Sequence, residues 1–402
     1  MAIDRTLYRE IPVTNGLWAS AAVLVAFLLG AFASFVYVEH HGHIVTGMTN
    51  HVVWGMPHVF AIFLIVAASG ALNVASIASV FGKMAYKPLS RLSGVLAMAL
   101  LAGGLAVLVL DLGRPDRLIV QMTHFNFTSI FTWNILLYSG FMGIVAVYLW
   151  VQMDRSVDPK WTKPAGLAAF VWRLALTTGT GSIFGWLVAR PGYDAAIMAP
   201  LFISMSFAFG LAIFILVLQC LGRLADTPLG DVIVTRLTRL LGLFVAVVLY
   251  FTAVQHLTNL YAQEHAGFEA FILREGGIYT TLFWGAQVLL GGLLPLGLVY
   301  GRKGSVSPGM ASLVSILVIL GGVAQVYVIV VGGQAYPMEL FPGYEVSSSF
   351  QDGQIAAYTP SLPEIALGLG GVALALFATG LGAKVLRILP SNLSDRNIPS
   401  DS

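Results

Sequence analysis

Charge is scarce in this sequence. Only 10% of its 402 residues are Asp, Glu, Lys or Arg, against about 25% in soluble domains. So little polar surface cannot coat a water-soluble body of this size. Cysteine is nearly absent: the single Cys220 excludes a disulfide framework and any iron–sulfur cluster held by the chain's own thiolates. No basic run tracks a nucleic-acid backbone, and a net charge of +2 says little about partners. What remains is apolar, 57% of the chain. It falls into blocks of about 20 residues or more, the length that crosses a bilayer core. Lipid satisfies no backbone polar group, so spanning segments are helices or closed barrels. Continuous apolar runs, rather than alternating ones, select helices.

Ten blocks predict an all-α integral membrane protein: Asn15–Val38, Val53–Phe81, Ser90–Val109, Ser129–Val151, Pro164–Val188, Ala196–Leu221, Ile233–Ala262, Ile278–Tyr300, Pro308–Val331 and Leu362–Ile388. The first run is followed by no small-x-small cleavage site, so it reads as a span rather than a removable leader. The run from Val53 is long for a core of about 30 Å and predicts tilt or projection beyond the lipid.

Lys and Arg set the direction. Sixteen of the 21 lie on the side that holds both termini and every second loop. The other side has only Arg114, Arg117, Arg190 and Arg274, and Arg173 lies within a span. This asymmetry predicts cytoplasmic termini in a bacterial inner membrane and an even number of spans. All eight histidines fall on the outer side: His40, His41, His43, His51, His58, His124, His256 and His265. The longest loop, Gly332–Ser361, is also outside, with Glu339, Glu345 and Asp352 but no Lys or Arg. Loops of that length are usually functional or disordered, and its Gly, Pro and aromatic content predicts an ordered loop that a partner covers.

Several residues are candidates for chemistry. His58 lies just inside the second span; a neutral histidine there could bond a quinol headgroup and take its proton, or simply bond a neighbour. Asp111, in Asp111-Leu-Gly-Arg-Pro115, reads equally as a proton acceptor or as an ion-pair partner of Arg114 and Arg117. His124 and Ser129, with the interleaved aromatics around them, suit a flat quinone ring or an interfacial belt. Arg173 is the one clear mid-span charge and calls for an interior partner. Thr177, Thr180 and Ser182 follow it as a narrow polar stripe, either a proton path or tight helix packing. His256 lies at a depth similar to His58, and the two together could hold a haem. His40-His-Gly-His43 is a weak metal cluster.

Three stretches carry a resemblance. They are Asp111-Leu-Gly-Arg-Pro115 with His124-Phe-Asn-Phe-Thr-Ser129, Ile183-Phe-Gly with Ala189-Arg-Pro-Gly-Tyr-Asp-Ala-Ala-Ile-Met-Ala-Pro-Leu-Phe-Ile203, and Tyr358-x-Pro-Ser-x-x-Glu364. In these the chain resembles the NrfD/polysulfide-reductase family of quinone-interacting membrane subunits. The count of spans resembles the longer branch, which includes HybB and DsrP. The resemblance implies two four-helix bundles, 53–188 and 196–331, with extra helices at 15–38 and 362–388. It also implies a bound menaquinone or ubiquinone near the outer face and no haem or iron–sulfur cluster within this chain. The partners it implies are a periplasmic ferredoxin-like iron–sulfur subunit and further subunits of a respiratory or sulfur-metabolism complex, with cytochromes among the candidates. Members often carry a histidine where Thr177 or Thr180 stands here.

The expectation is therefore a quinone-binding subunit that exchanges electrons between quinol and the iron–sulfur partner, with proton movement as a candidate coupling. His58, Asp111, Arg114, His124 and Ser129 form the expected quinone and proton-accepting set. Arg173, Thr177 and Glu364 are candidates for a proton path, and Tyr193 and His256 for the pocket or an interface. No metal ligands are expected. The rival readings are a secondary transporter, which calls for broken helices and repeats, and a passive membrane anchor.

Overall fold

The computed structural model describes residues 8–227, 229–301, 304–338, 340–341, 343–344, 346–350 and 352–393. Among them, ten helices are long and apolar enough to cross a membrane. They are α1 (Asn15–His41), α2 (Met56–Ser79), α3 (Met84–Leu110), α4 (Ile130–Met153), α5 (Pro159–Gly185), α6 (Met198–Leu224), α7 (Asp231–Tyr261), α8 (Ile278–Tyr300), α9 (Pro308–Ala335) and α10 (Leu362–Val385). The expected all-α membrane protein with ten spans holds. The sole sheet among the described residues is two short antiparallel strands, β1 (Tyr8–Arg9) and β2 (Leu389–Pro390). That pairing ties the two ends of the chain to one face. The Arg9 guanidinium adds bonds to the Ala225 carbonyl and the Thr227 hydroxyl. This is the terminal face; the opposite one, where the eight histidines gather, is the histidine face. Of the cations read from sequence, Arg5, Arg302, Lys303 and Arg396 lie outside the described residues.

The core runs along α2 and α6. Almost every residue of α2 from Ala61 to Ala71 is buried. It packs against α3, α6 and α10, while α1 lies outside on α10. Large apolar residues such as Trp18, Leu29 and Phe32 on α1 stay exposed, as lipid-facing residues do. Helices in lipid gain little from apolar burial against one another and associate through close packing of small residues. Gly70 of α2 and Gly210 of α6 form such a crossing. A Cβ on Gly70 would overlap the Ser206 carbonyl oxygen, and one on Gly210 the Ala71 backbone nitrogen.

The second span differs from its expectation as one long helix from Val53. It begins at Met56, with Pro57 in its first turn, and is broken at Leu72. The break has a visible cause. Ser93 of α3 inserts its hydroxyl into the helical ladder, donating to the Ala71 carbonyl at 2.7 Å and accepting from the Ala75 amide at 3.1 Å. An inserted side chain of this kind is a standard source of kinks.

Candidate functional site

His58 lies in the first turn of α2, and Asp111 caps the end of α3. The antiparallel run of these two helices brings both to the histidine face. His58 Nδ1 stands 2.8 Å from Asp111 Oδ2, with 17% of the histidine side chain exposed and 2% of the aspartate's. The distance is that of an ion pair, but the alignment falls outside hydrogen-bond geometry, and neither atom has another hydrogen-bond partner. Two buried polar atoms are thus held at contact without mutual satisfaction. Such loosely made bonds are common at sites that tighten when ligand binds.

Aromatic rings form a wall beside the pair. The Trp54 ring stacks on His58 with centroids 6.1 Å apart. It also contacts Phe131 at 6.2 Å, Phe184 at 6.0 Å and Tyr193 at 6.4 Å. Tyr193 is fully buried, and its hydroxyl donates to the Val330 carbonyl at 2.7 Å. Burial pushes its phenol up, so it is a neutral wall and not an acid.

The segment before His58 is fixed from three sides. Gln334 Oε1 accepts from the Val53 and Trp54 amides, both at 3.0 Å, and Gln334 Nε2 donates to the Trp54 carbonyl at 3.0 Å. Arg190 holds the Gln334 and His51 carbonyls. The Tyr358 hydroxyl accepts from the Met56 amide at 2.6 Å and donates to Glu364 Oε1 at 2.6 Å. Burial, and then the bond to Glu364, pushes the Tyr358 phenol up, so it remains a donor.

Glu364, expected on a proton path, is held on several sides. It is fully buried, and its Oε2 accepts from the Gly47 amide at 2.8 Å and the Ser361 amide at 2.7 Å. With the Ser361 side chain it forms the capping box that opens α10. All of these partners donate to the carboxylate, which clasps the Gly47 turn, the start of α2 and α10 together. Glu364→Ala should lower stability by several kcal/mol, since about 1–3 kcal/mol attaches to each buried donor left unsatisfied. Thermal unfolding in detergent would measure it; an unchanged midpoint would refute the clasp.

The other expected residues divide. Arg114 bonds Asp116 at 3.2 Å with both side chains exposed, and no ion pair joins it to Asp111 among the described residues. The ion pair that Arg114 makes is thus with Asp116. That bond pulls the exposed Asp116 carboxyl down. His124 ends a short helix on the surface with Thr123 at 3.0 Å, and Ser129 is a half-buried residue at the start of α4. From the same stretch, Phe131 meets the Trp54 ring. Arg173 is fully buried but has no carboxylate among the described residues. Its Nη2 donates to Asn73 Oδ1 at 3.0 Å, and its guanidinium lies between the Phe170 and Phe207 rings at 4.8 and 4.9 Å. Thr177 donates to the Arg173 carbonyl at 2.6 Å and meets Ser69 at 3.1 Å. These bonds suit the tight-packing alternative, although the Arg173 Nε is buried without a hydrogen-bond partner. His256 sits away from Trp54 and bonds a buried Glu269 at 2.7 Å.

Glu269 is the residue that sequence reading missed, because nothing in its local pattern marks it as buried. Trp54 and Gln334 were missed for the same reason. The histidines of the His40–His43 run take separate partners: His41 bonds the Tyr37 carbonyl and His43 the Asp111 carbonyl. Among the described residues no three His, Cys, Asp or Glu side chains converge. Glu339 and Glu345 of the long loop lie outside the described residues; Asp352 accepts from Ser348 at 2.6 Å.

A family model described as polysulphide reductase, NrfD, matches residues 44–338. The chain belongs to this family. Three related sequences align over most of its length. The Hdr-like menaquinol oxidoreductase integral membrane subunit of Archaeoglobus fulgidus is 28% identical over 92% of this chain and 93% of its own. A putative dimethyl sulfoxide reductase membrane subunit of Halobacterium salinarum is 26% identical, covering 92% and 89%. A selenate reductase subunit of Mesobacillus selenatarsenatis is 23% identical, covering 87% and 90%. The NrfD match takes in both His58 and Asp111. The three relatives are named as subunits of oxidoreductases with unlike substrates.

Proposed function

We propose that this NrfD-family chain binds a membrane quinol at the His58–Asp111 pair and exchanges electrons with an iron–sulfur subunit docked on the histidine face. The observation that carries the reading is the contact of 2.8 Å between His58 and Asp111 beside the Trp54 ring. Oxidising a quinol releases two electrons and two protons. With Nδ1 turned to Asp111, the His58 Nε2 is left to accept one headgroup proton while the aspartate steadies the imidazolium so formed; the second proton leaves to water at the histidine face, and both electrons pass to the iron–sulfur subunit. Trp54 offers a flat face to the ring. Running the steps backward reduces a quinone.

One cysteine cannot hold an iron–sulfur cluster, so the iron–sulfur acceptor in this reading is a separate subunit. Exposed Phe341, Tyr344 and Phe350 on the long loop of the same face suit a docking partner of ferredoxin type. The excess of Lys and Arg on the terminal face supports cytoplasmic termini, with the site on the outer side of the inner membrane. The name of the Archaeoglobus relative favours menaquinone over ubiquinone.

Titrating a soluble menaquinone analogue into the purified chain tests the site directly. Wild type should bind, and Trp54→Leu should weaken binding by roughly 5- to 10-fold, the scale of about 1 kcal/mol for a stacked aromatic. Absence of binding by wild type would refute the reading in favour of a passive anchor.

A further inference from the structure

The terminal face holds a cationic cluster that the quinol reading does not use. Arg91 lies near the terminal end of α3, and its guanidinium bridges two neighbouring helices. Nη2 donates to the Gln152 carbonyl at the end of α4 at 2.6 Å, and Nη1 to the Arg387 carbonyl just beyond α10 at 3.1 Å. The guanidinium carbon lies 3.9 Å from the centre of the Tyr8 ring. The Tyr8 hydroxyl donates to the Lys87 carbonyl at 3.3 Å, one turn before Arg91. The planar fork is thus fixed in place with further N–H groups left over. Arg155, just past α4, is close enough to repel it. Arg155 and Lys87 are exposed, and among the described residues no ion pair joins either of them, or Arg91, to an acid. Asp154 accepts from Ser156 and Trp150, Asp158 pairs with Lys160 at 3.0 Å, and Glu10 pairs with Arg387 at 3.5 Å. Like charges held together cost free energy, which a counter-ion at that spot offsets.

The depth of the cluster says where the anion comes from. Trp150 and Trp161, exposed at the same ends of α4 and α5, mark the boundary between membrane and water. Arg91 and Arg155 therefore stand at headgroup level. A furrow leads from them along α3 into the membrane. Leu149 of α4 closes over Gly94, and Gly382 of α10 over Val95, so α3 is the floor and the other two helices are the walls. On that floor Arg91, Met98, Ala102 and Leu105 share one helical face and stay partly exposed. Leu92, Leu96 and Leu100 between them are buried. An occupant with an anionic end and an apolar length fits both parts.

We propose that this furrow binds an anionic phospholipid, its phosphate held by Arg91 and Arg155 and an acyl chain laid along α3. Lys87 strengthens the field at the headgroup. Basic pockets between transmembrane helices take anionic headgroups in other membrane proteins. The lipid fastens the ends of α3, α4 and α10 to one another, as Arg91 itself does. This goes beyond the quinone reading and does not depend on it.

Titrating the delipidated full chain with phosphatidylglycerol or phosphatidylcholine, and counting bound lipid by native mass spectrometry, tests the site. Wild type should prefer phosphatidylglycerol by roughly 10-fold or more, each cation near the surface contributing about 5-fold. Arg155→Gln removes an exposed side chain, so folding should survive, and the preference should fall about 5-fold. Arg91→Gln should lower it at least as much, but also loosens the helix ends, so Arg155→Gln carries the test. Lys163→Gln, exposed on α5 of the same face, should leave the preference unchanged, which separates a site from the general charge of that face. Soluble glycerol 3-phosphate should not displace the lipid. Equal binding of the two lipids by wild type, full preference in folded Arg155→Gln, an equal loss in Lys163→Gln, or displacement by glycerol 3-phosphate overturns the proposal.

Discussion

Quinol-linked turnover of the assembled complex is expected to fall on the order of 10²–10⁴-fold in His58→Ala, the range for losing a general base. The argument rests on position. His58 is in the first turn of α2, partly exposed beside Trp54, and one of its ring nitrogens faces a buried aspartate. Removing the ring takes away the proton acceptor and leaves Asp111 buried without its neighbour. Asp111→Asn should also lower turnover, because an amide no longer steadies the imidazolium and lets the wrong tautomer compete. Both variants should still insert and assemble, since the Gln334 and Tyr358–Glu364 contacts that fix this segment do not involve them. Steady-state quinol oxidation, alongside subunit content of the purified complex, is the measurement. Normal turnover in assembled His58→Ala would remove this site from the chemistry.

The second large effect concerns the crossing of α2 and α6. Gly70→Val should fail to yield a stable protein. The added carbons meet backbone atoms of Ser206 rather than a yielding side chain, so the helices must separate. Overpacking a core costs about 1–3 kcal/mol where side chains can shift, and here none can. Gly143→Ala is the control: a Cβ there meets nothing, and the exchange should be neutral or gain roughly 0.5–1 kcal/mol of helix propensity. Folded yield and resistance to a harsher detergent would separate the two. A robust Gly70→Val protein would mean that this crossing does not hold the fold.

Glu364 and Arg114 show how much of a side chain's setting is hidden from the sequence. An acid near a membrane edge reads as a proton carrier when its partners are invisible. In the structure Glu364 Oε2 is bonded to a backbone amide 317 residues away, and it becomes a clasp. Arg114 reads as the partner of Asp111 by proximity in sequence, but the turn at Pro115 hands it to Asp116 in solvent. Arg173 had the opposite outcome: its demand for interior partners was legible from its place in a span, and the partners are a neutral amide and two aromatic faces.

The spans, their number and the gathering of histidines on one face were determined by the sequence alone. Hydropathy and the placement of Lys and Arg act locally and add up along the chain, so no knowledge of partners is needed. Only the tertiary structure decided that His58 meets Asp111, that Trp54 stacks over it, that Ser93 breaks the second span, and that His256 meets Glu269. Those pairings depend on which glycine and serine faces let two helices approach, a contact condition between distant segments that no local pattern encodes.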